Sequence, residues 1–146
     1  LTQKTNQFNL TTIRYTEQDI YMLSQSKDSD IVTLKADDKF GAYGLIGVAI
    51  LRYIEETLEI DSFLLSCRAI GRGLEDVLLE ECIKHAKSKE IKFLSGSFSK
   101  TQKNSQVEYF FENHGFDLKT KESSKKSYLC EIDILNVVSP KHIKVL

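Results

Sequence analysis

Leu64-Leu65-Ser66-Cys67-Arg68-Ala69-Ile70-Gly71-Arg72-Gly73, running into Leu74-Glu75-Asp76-Val77-Leu78-Leu79-Glu80-Glu81-Cys82-Ile83-Lys84-His85-Ala86-Lys87, is the stretch from which the fold can be read. Its last part places Leu74, Leu78, Cys82 and Ala86 on one stripe, thickened by Leu79 and Ile83, which predicts an amphipathic helix over 73–87. Its first part ends an apolar strand. The joint between them is Arg-x-x-Gly-x-Gly. A glycine-containing turn leaves backbone N–H groups unobstructed at a helix N-terminus, where the dipole favours an anion such as pyrophosphate. Arg68 and Arg72 would add charge-assisted hydrogen bonds. The pattern is short, and a tight strand-to-helix turn with solvated arginines explains it as well.

Upstream, Leu58 and Ile60 alternate in one phase and Phe63, Leu65 and Cys67 in the other, which predicts a bulge inside a strand. Glu55-Glu56 marks the hairpin before it. Leu45 to Leu51 is a nearly unbroken apolar run, suited to a strand buried on both faces. Ile31 to Lys35 is a shorter β-branched strand. Thr16 with Asp19 forms a capping pair ahead of a short helix ending near Ser26, and Thr12 to Tyr15 is expected as a first strand after an extended lead-in, 1–11. Downstream, Ile91 to Leu94 is a strand. Asn104 to His114 carries Val107, Phe110, Phe111 and His114 at helical spacing and stops at Gly115. The run 117–126 reads as a charged turn, Tyr128 to Ile134 as a half-buried strand, and 136–146 as a tail. The order strand, helix, three strands, helix, strand, helix, two strands predicts an α+β fold, a sheet with helices on both faces.

A chain of 146 residues fits one domain. Its formal net charge of −1 argues against nucleic acid as the principal partner, which demands clustered Lys and Arg. No apolar run reaches membrane-spanning length. Cys67, Cys82 and Cys130 lack CxxC spacing, and His85, His114 and His142 are scattered, so neither a disulfide framework nor a metal site is expected. A reduced, cytoplasmic setting follows from that cysteine usage.

The Arg68–Gly73 turn, followed some thirty residues later by Asn104-Ser-Gln-Val-Glu-Tyr-Phe-Phe-Glu-Asn-His-Gly-Phe116, resembles the acyl-CoA loop and the N-x-x-A-x-x-x-Y-E-x-x-G-F segment of the GNAT superfamily of N-acetyltransferases. The similarity spans about residues 12 to 134. More closely, TNQFNLTT (5–12), LLSCRAIGRG (64–73) and TQKN (101–104) resemble the C-terminal acyltransferase-like domain of FkbH-like proteins. Those proteins join a HAD-type domain to such a domain and load a glyceryl group from a phosphoglycerate onto an acyl carrier protein. The resemblance implies a mostly antiparallel mixed sheet of six or seven strands, a HAD-type domain upstream of Leu1, and a carrier protein as partner. The implied cofactor is acetyl-CoA or CoA, or carrier-bound phosphopantetheine, with no metal.

By the same resemblance, Arg68, Gly71, Arg72 and Gly73 would cradle the pyrophosphate. Phe63, Leu64 and Leu65 would pair with the pantetheine amides as an added strand does, and Asn104 would position the arm. The family's tyrosine, general acid for the departing thiolate, falls on Phe111, which has no proton to give. Glu75 and Asp76 suit the helix dipole yet repel a nearby pyrophosphate. Cys67 is the candidate nucleophile, since a thiolate beside arginines and a helix N-terminus can accept an acyl group; its alternative is a small hydrophobe in strand packing. Cys82 and Cys130 read as core, and Tyr109 and His114 as near the arm but structural. Three functions follow: an FkbH-like carrier-handling acyl or glyceryl transferase, a stand-alone N-acetyltransferase using acetyl-CoA, or a non-catalytic fold that docks a partner.

Overall fold

The computed structural model of the chain describes residues 1–5 and 7–146; Asn6, in the TNQFNLTT string and the expected lead-in, lies outside the described residues. The regular elements are strand β1 (Phe8–Asn9), helix α1 (Glu17–Gln25), strands β2 (Ser29–Asp38), β3 (Gly41–Ile54) and β4 (Thr57–Leu65), helix α2 (Leu74–Ser88), strand β5 (Phe93–Ser99), helix α3 (Phe110–Asn113), and strands β6 (Asp117–Glu122) and β7 (Lys125–Glu131). The strands form one seven-stranded sheet in the order β2-β3-β4-β5-β7-β6, with β1 added beside β4. Every pairing is antiparallel except β4 with β5.

The alternation of β3 and β4 divides the apolar side chains between two faces. Ala49, Leu51, Phe63 and Leu65 join the main core, which includes Leu78, Cys82 and Ala86 of α2. Val48, Ile50 and Leu64 face the other way and are covered by Ile20 and Leu23 of α1. The mixed α+β fold with helices on both faces is therefore as expected. α1 starts at the expected capping box: Thr16 Oγ1 accepts from the Asp19 N–H at 3.1 Å, and the Asp19 carboxylate accepts from the Thr16 N–H at 2.8 Å. α2 starts after Gly73, whose φ of 81° suits a residue without a Cβ.

Four local expectations change. Thr12 to Tyr15 is not a strand; the place beside β4 is taken by Phe8–Asn9 of the lead-in. The segment 117–126 is a hairpin rather than a turn alone, since β6 is an edge strand exposed at every residue and so has no apolar alternation to read. Asn104 to His114 is not one helix. A 3-10 turn (Ser105–Val107) and the four-residue α3 replace it, with i→i+3 bonds from Val107 N–H to Asn104 O and Glu108 N–H to Ser105 O. The final strand ends at Glu131 and passes into a 3-10 turn at Ile132–Ile134.

Phe111 is 1% exposed and packs directly over β5. A Cβ built on Gly96 would lie 2.2 Å from Phe111 Cζ, so the ring can sit there only because position 96 has no side chain. Gly96→Ala is therefore expected to destabilise the protein by about 1–3 kcal/mol, the usual cost of overpacking a rigid core. Urea unfolding of the variant checks it through a lowered midpoint at unchanged slope.

Candidate active site

β4 and β5 pair only over Thr57–Ile60 and Phe93–Gly96. Both strands continue, to Leu65 and Ser99, without pairing again, so the sheet opens into a wedge between them. The cause lies on the other edge of β4. Ser62 pairs with Ile50 and Ile60 with Leu51, leaving Asp61 unmatched as a bulge residue. The bulge sits where the phase switch in the sequence places it, between Ile60 and Phe63.

The wedge is filled by the chain itself. Phe8 pairs with Leu65 and Asn9 with Leu64. Leu10 N–H donates to Phe63 O at 3.2 Å, and Ser99 N–H donates to Leu10 O at 2.7 Å, so the segment bridges both parted strands. Phe8, Asn9 and Leu10 are all buried. The Asn9 side chain folds the segment over: its amide donates to Thr5 O at 3.2 Å and its oxygen accepts from Thr12 N–H at 2.9 Å. Asn104, fully buried, donates from one amide nitrogen to Asn9 O at 3.1 Å and Ser99 O at 2.9 Å. Its oxygen accepts from the Thr101 N–H at 2.8 Å. Phe63, Leu64, Leu65 and Asn104 are thus brought together at one slot, where Phe63 O accepts from Leu10 N–H and Asn104 donates to Asn9 O.

At the wide end of the wedge the chain turns through Ser66 and a 3-10 turn, Cys67–Ala69, to Gly71, Arg72 and Gly73, with φ of 78° at Gly71. Arg68 is exposed, and no described residue accepts from its guanidinium. Arg72 points toward the β2–β3 hairpin. It lies 3.7 Å from Asp38 Oδ2, donates to Tyr43 Oη at 3.3 Å and stacks over the Tyr43 ring. Tyr43 and backbone amides hydrogen-bond Asp38 and hold its carboxyl below the usual carboxylate range. The tail leans on the same turn: a Cβ at Gly73 would approach Pro140 Cγ to 2.5 Å, and His142 Nε2 is 3.3 Å from Arg72 O. Beside the turn, a cavity of about 900 Å3 opens between β2, the start of α2 and the tail, with Arg68 and Arg72 on its wall.

Of the two helix acids, Asp76 is bound to His114 Nε2 at 2.6 Å, while His114 Nδ1 contacts Phe110 O at 2.7 Å. Glu75 Oε2 is buried and has no hydrogen-bond partner among the described residues. Phe111 does not reach the slot; it packs against Phe110, Phe116 and Tyr128 in the core. Tyr109 projects outward beneath Lys126, whose Nζ is 4.7 Å from the ring centroid.

Sequence reasoning missed the polar cluster at the bulge. Asp61 accepts from Tyr15 Oη and lies 3.2 Å from Arg52 Nε in a charge contact, and its backbone oxygen accepts from Thr11 Oγ1 at 3.0 Å. Burial, then the hydrogen bond to Asp61, raises the Tyr15 phenol above its ordinary pKa. The signal was present: the residue at a phase switch is the one a bulge turns out of the ladder. The switch locates Asp61, but nothing local names Tyr15 and Arg52 as its partners.

No protein-family model and no curated protein matches the chain. Solved structures do. A GNAT-family protein from Desulfovibrio desulfuricans superposes at TM-score 0.65 with 19% identity, over 80% of this chain and 77% of that one. The PaiA N-acetyltransferase of Thermoplasma acidophilum, solved in complex with coenzyme A, gives 0.57 and 24% over 70% of this chain and 61% of that one. The IAA acetyltransferase of Bacillus cereus gives 0.61 and 18%, over 80% and 85%. The chain has the fold of the GNAT acetyltransferases. Among the described residues no helix is long and apolar enough to cross a membrane, and no group of three or more His, Cys, Asp or Glu is placed to hold a metal.

Cys67 is exposed at the start of the 3-10 turn, which corrects the expectation of strand packing, whereas Cys82 and Cys130 are buried core. Burial pushes the Cys82 thiol up to about 12. In the native protein at pH 8, Cys67 alone is expected to react promptly with a thiol-specific disulfide reagent. All three should react in denaturant; fast native reaction of a second thiol would contradict this placement.

Proposed function

We propose that this chain is an acyltransferase-type domain that holds the pantetheine arm of a thioester donor. The observation that carries the reading is the parting of β4 and β5 at the Asp61 bulge, immediately before a Gly71–Gly73 turn that opens α2. Peptide groups of Phe63–Leu65 line the way from the turn into the sheet, and an extended chain with amides already pairs with them there. A pantetheine arm is such a chain. The phosphate at its end would meet the turn and the free guanidinium of Arg68. The coenzyme A bound to the Thermoplasma neighbour supports the same class of ligand.

In the reaction an acceptor amine or hydroxyl attacks the thioester carbonyl. The new C–N or C–O bond forms, the C–S bond breaks, the thiolate leaves with the electron pair, and the proton lost by the acceptor is matched by the one the thiolate takes up. Phe111 supplies none. The strings TNQFNLTT, LLSCRAIGRG and TQKN favour a carrier-bound phosphopantetheine over acetyl-CoA as the natural donor. The finer reading is an FkbH-like glyceryl or acyl transfer in which an acyl carrier protein is the partner and a HAD-type domain of the same protein supplies the group. A second reading, a non-catalytic fold that docks a partner, is favoured by one observation: the slot is occupied by β1.

Thermal shift separates these readings. A ligand at 100 times its dissociation constant stabilises the native state by about 2.7 kcal/mol, or roughly 5–10 °C for a domain of this size. A phosphopantetheinylated carrier protein is expected to produce that shift at lower concentration than acetyl-CoA. Arg68→Ala should weaken binding by about tenfold or more, one charged hydrogen bond, while leaving the unliganded melting temperature unchanged. Shifts with acetyl-CoA alone would favour the stand-alone acetyltransferase, and no shift with either would leave the docking fold.

A further inference from the structure

We propose that the Phe8–Leu10 segment is an autoinhibitory strand: it occupies the arm-binding slot as an internal competitor, and a pantetheine ligand enters only when this segment leaves. The inference rests on the reading of the slot given above and adds how access to it is controlled. Its basis is the set of bonds in the wedge. The edge of β4 that faces the wedge is spent on residues 8–10, with Leu10 N–H on Phe63 O, while Leu10 O takes the Ser99 N–H on the opposite wall. Two extended chains cannot use the same donors and acceptors, so the segment and the arm exclude each other.

The segment is built as a short, separable piece. Its ladder is two residues long, beside the ten of β2 and fourteen of β3. It is followed by Thr12, a β-branched residue held at φ 59°, in the left-handed region such side chains avoid. That strain is released when the segment swings out, which places a hinge where the chain leaves the slot. Asn104 is the clasp: it joins the segment at Asn9 O to the wall at Ser99 O. The phosphate end of the site needs no such opening at Arg68, whose guanidinium is exposed. The apparent affinity for an arm is therefore its affinity for the open slot multiplied by the fraction of molecules in which the slot is open.

Asn104 makes the proposal testable by sign. If Asn104 holds the arm, Asn104→Ala weakens coenzyme A binding; if it holds the competitor, Asn104→Ala strengthens it, by about fivefold for one buried hydrogen bond. Because Asn104→Ala loses several bonds and can unfold the region, a second variant is paired with it. Asn9 and Leu64 are register partners in antiparallel strands, close enough for a disulfide. The Asn9→Cys/Leu64→Cys protein is titrated with coenzyme A and with 4′-phosphopantetheine, oxidised and reduced, the bridge being confirmed by peptide mass spectrometry. The expected result is binding when reduced and none when oxidised. In the wild-type chain, saturating coenzyme A should cost the Leu10 amide, which now donates to Phe63 O, its protection from hydrogen exchange. Equal binding by the oxidised and reduced forms, or weaker binding by a folded Asn104→Ala variant, overturns the autoinhibitory strand and leaves the arm-binding reading standing. No binding of either probe by any form overturns both.

Discussion

Backbone amides that leave a sheet without leaving the protein interior must find new partners, because an unpaired buried N–H or C=O costs as much as a lost hydrogen bond. The bulge at Asp61 creates that demand. It ends the β4–β5 ladder at Ile60 and Gly96 and leaves Phe63 and Ser99 on opposite walls of a wedge beside the core. Every feature of the site follows from how the demand is met. In the free chain Phe8–Leu10 meets it. In the proposed complex a pantetheine arm, with amides of its own, would meet it instead. A slot of this kind is specific for an extended amide-bearing chain and for little else, since an apolar ligand would leave the same groups unpaired.

The surroundings of the wedge are arranged around the same constraint. The cluster of Asp61, Tyr15, Arg52 and Thr11 satisfies the bulge residue on the side away from the ladder. Phe111 stands over Gly96, the last residue of β5 paired with β4, and packs the core beneath the point where the strands part. At the wide end the two arginines divide their work. Arg72 is tied into the Asp38–Tyr43 hairpin, while Arg68 is exposed with no acceptor for its guanidinium among the described residues. Asp76, in the first turn of α2, is hydrogen-bonded to His114 Nε2, which ties the start of α2 to the end of α3.

Most of the scaffold was legible because it obeys simple periods. The stripe Leu74-Leu78-Cys82-Ala86 specified α2 to within a residue, the Thr16/Asp19 pair specified the start of α1, and the phase switch specified the bulge. Elements whose stability is set elsewhere were not legible. β6 is a strand only because β7 offers it a partner, and its exposed residues carry no alternation. Asn104 to His114 has helical spacing of its apolar side chains, but the Asn104 side chain is committed to β1 and Thr101, and the segment breaks into two short turns. The role of the lead-in was hidden for a related reason. Its Thr and Asn residues look like a polar linker, yet Asn9 is fully buried because its backbone and side chain both meet partners that lie more than fifty residues away or just across a turn.

The claim at the centre of this account is that one slot, between β4 and β5, serves either the Phe8–Leu10 segment or a pantetheine arm. A crystal structure of the chain with coenzyme A bound addresses it directly. The account predicts pantetheine amides hydrogen-bonded to the Phe63–Leu65 backbone, the phosphates at Arg68 and the Gly71–Gly73 turn, and residues 8–10 outside the wedge. Coenzyme A bound elsewhere, with Leu10 still bridging Phe63 and Ser99, would contradict it.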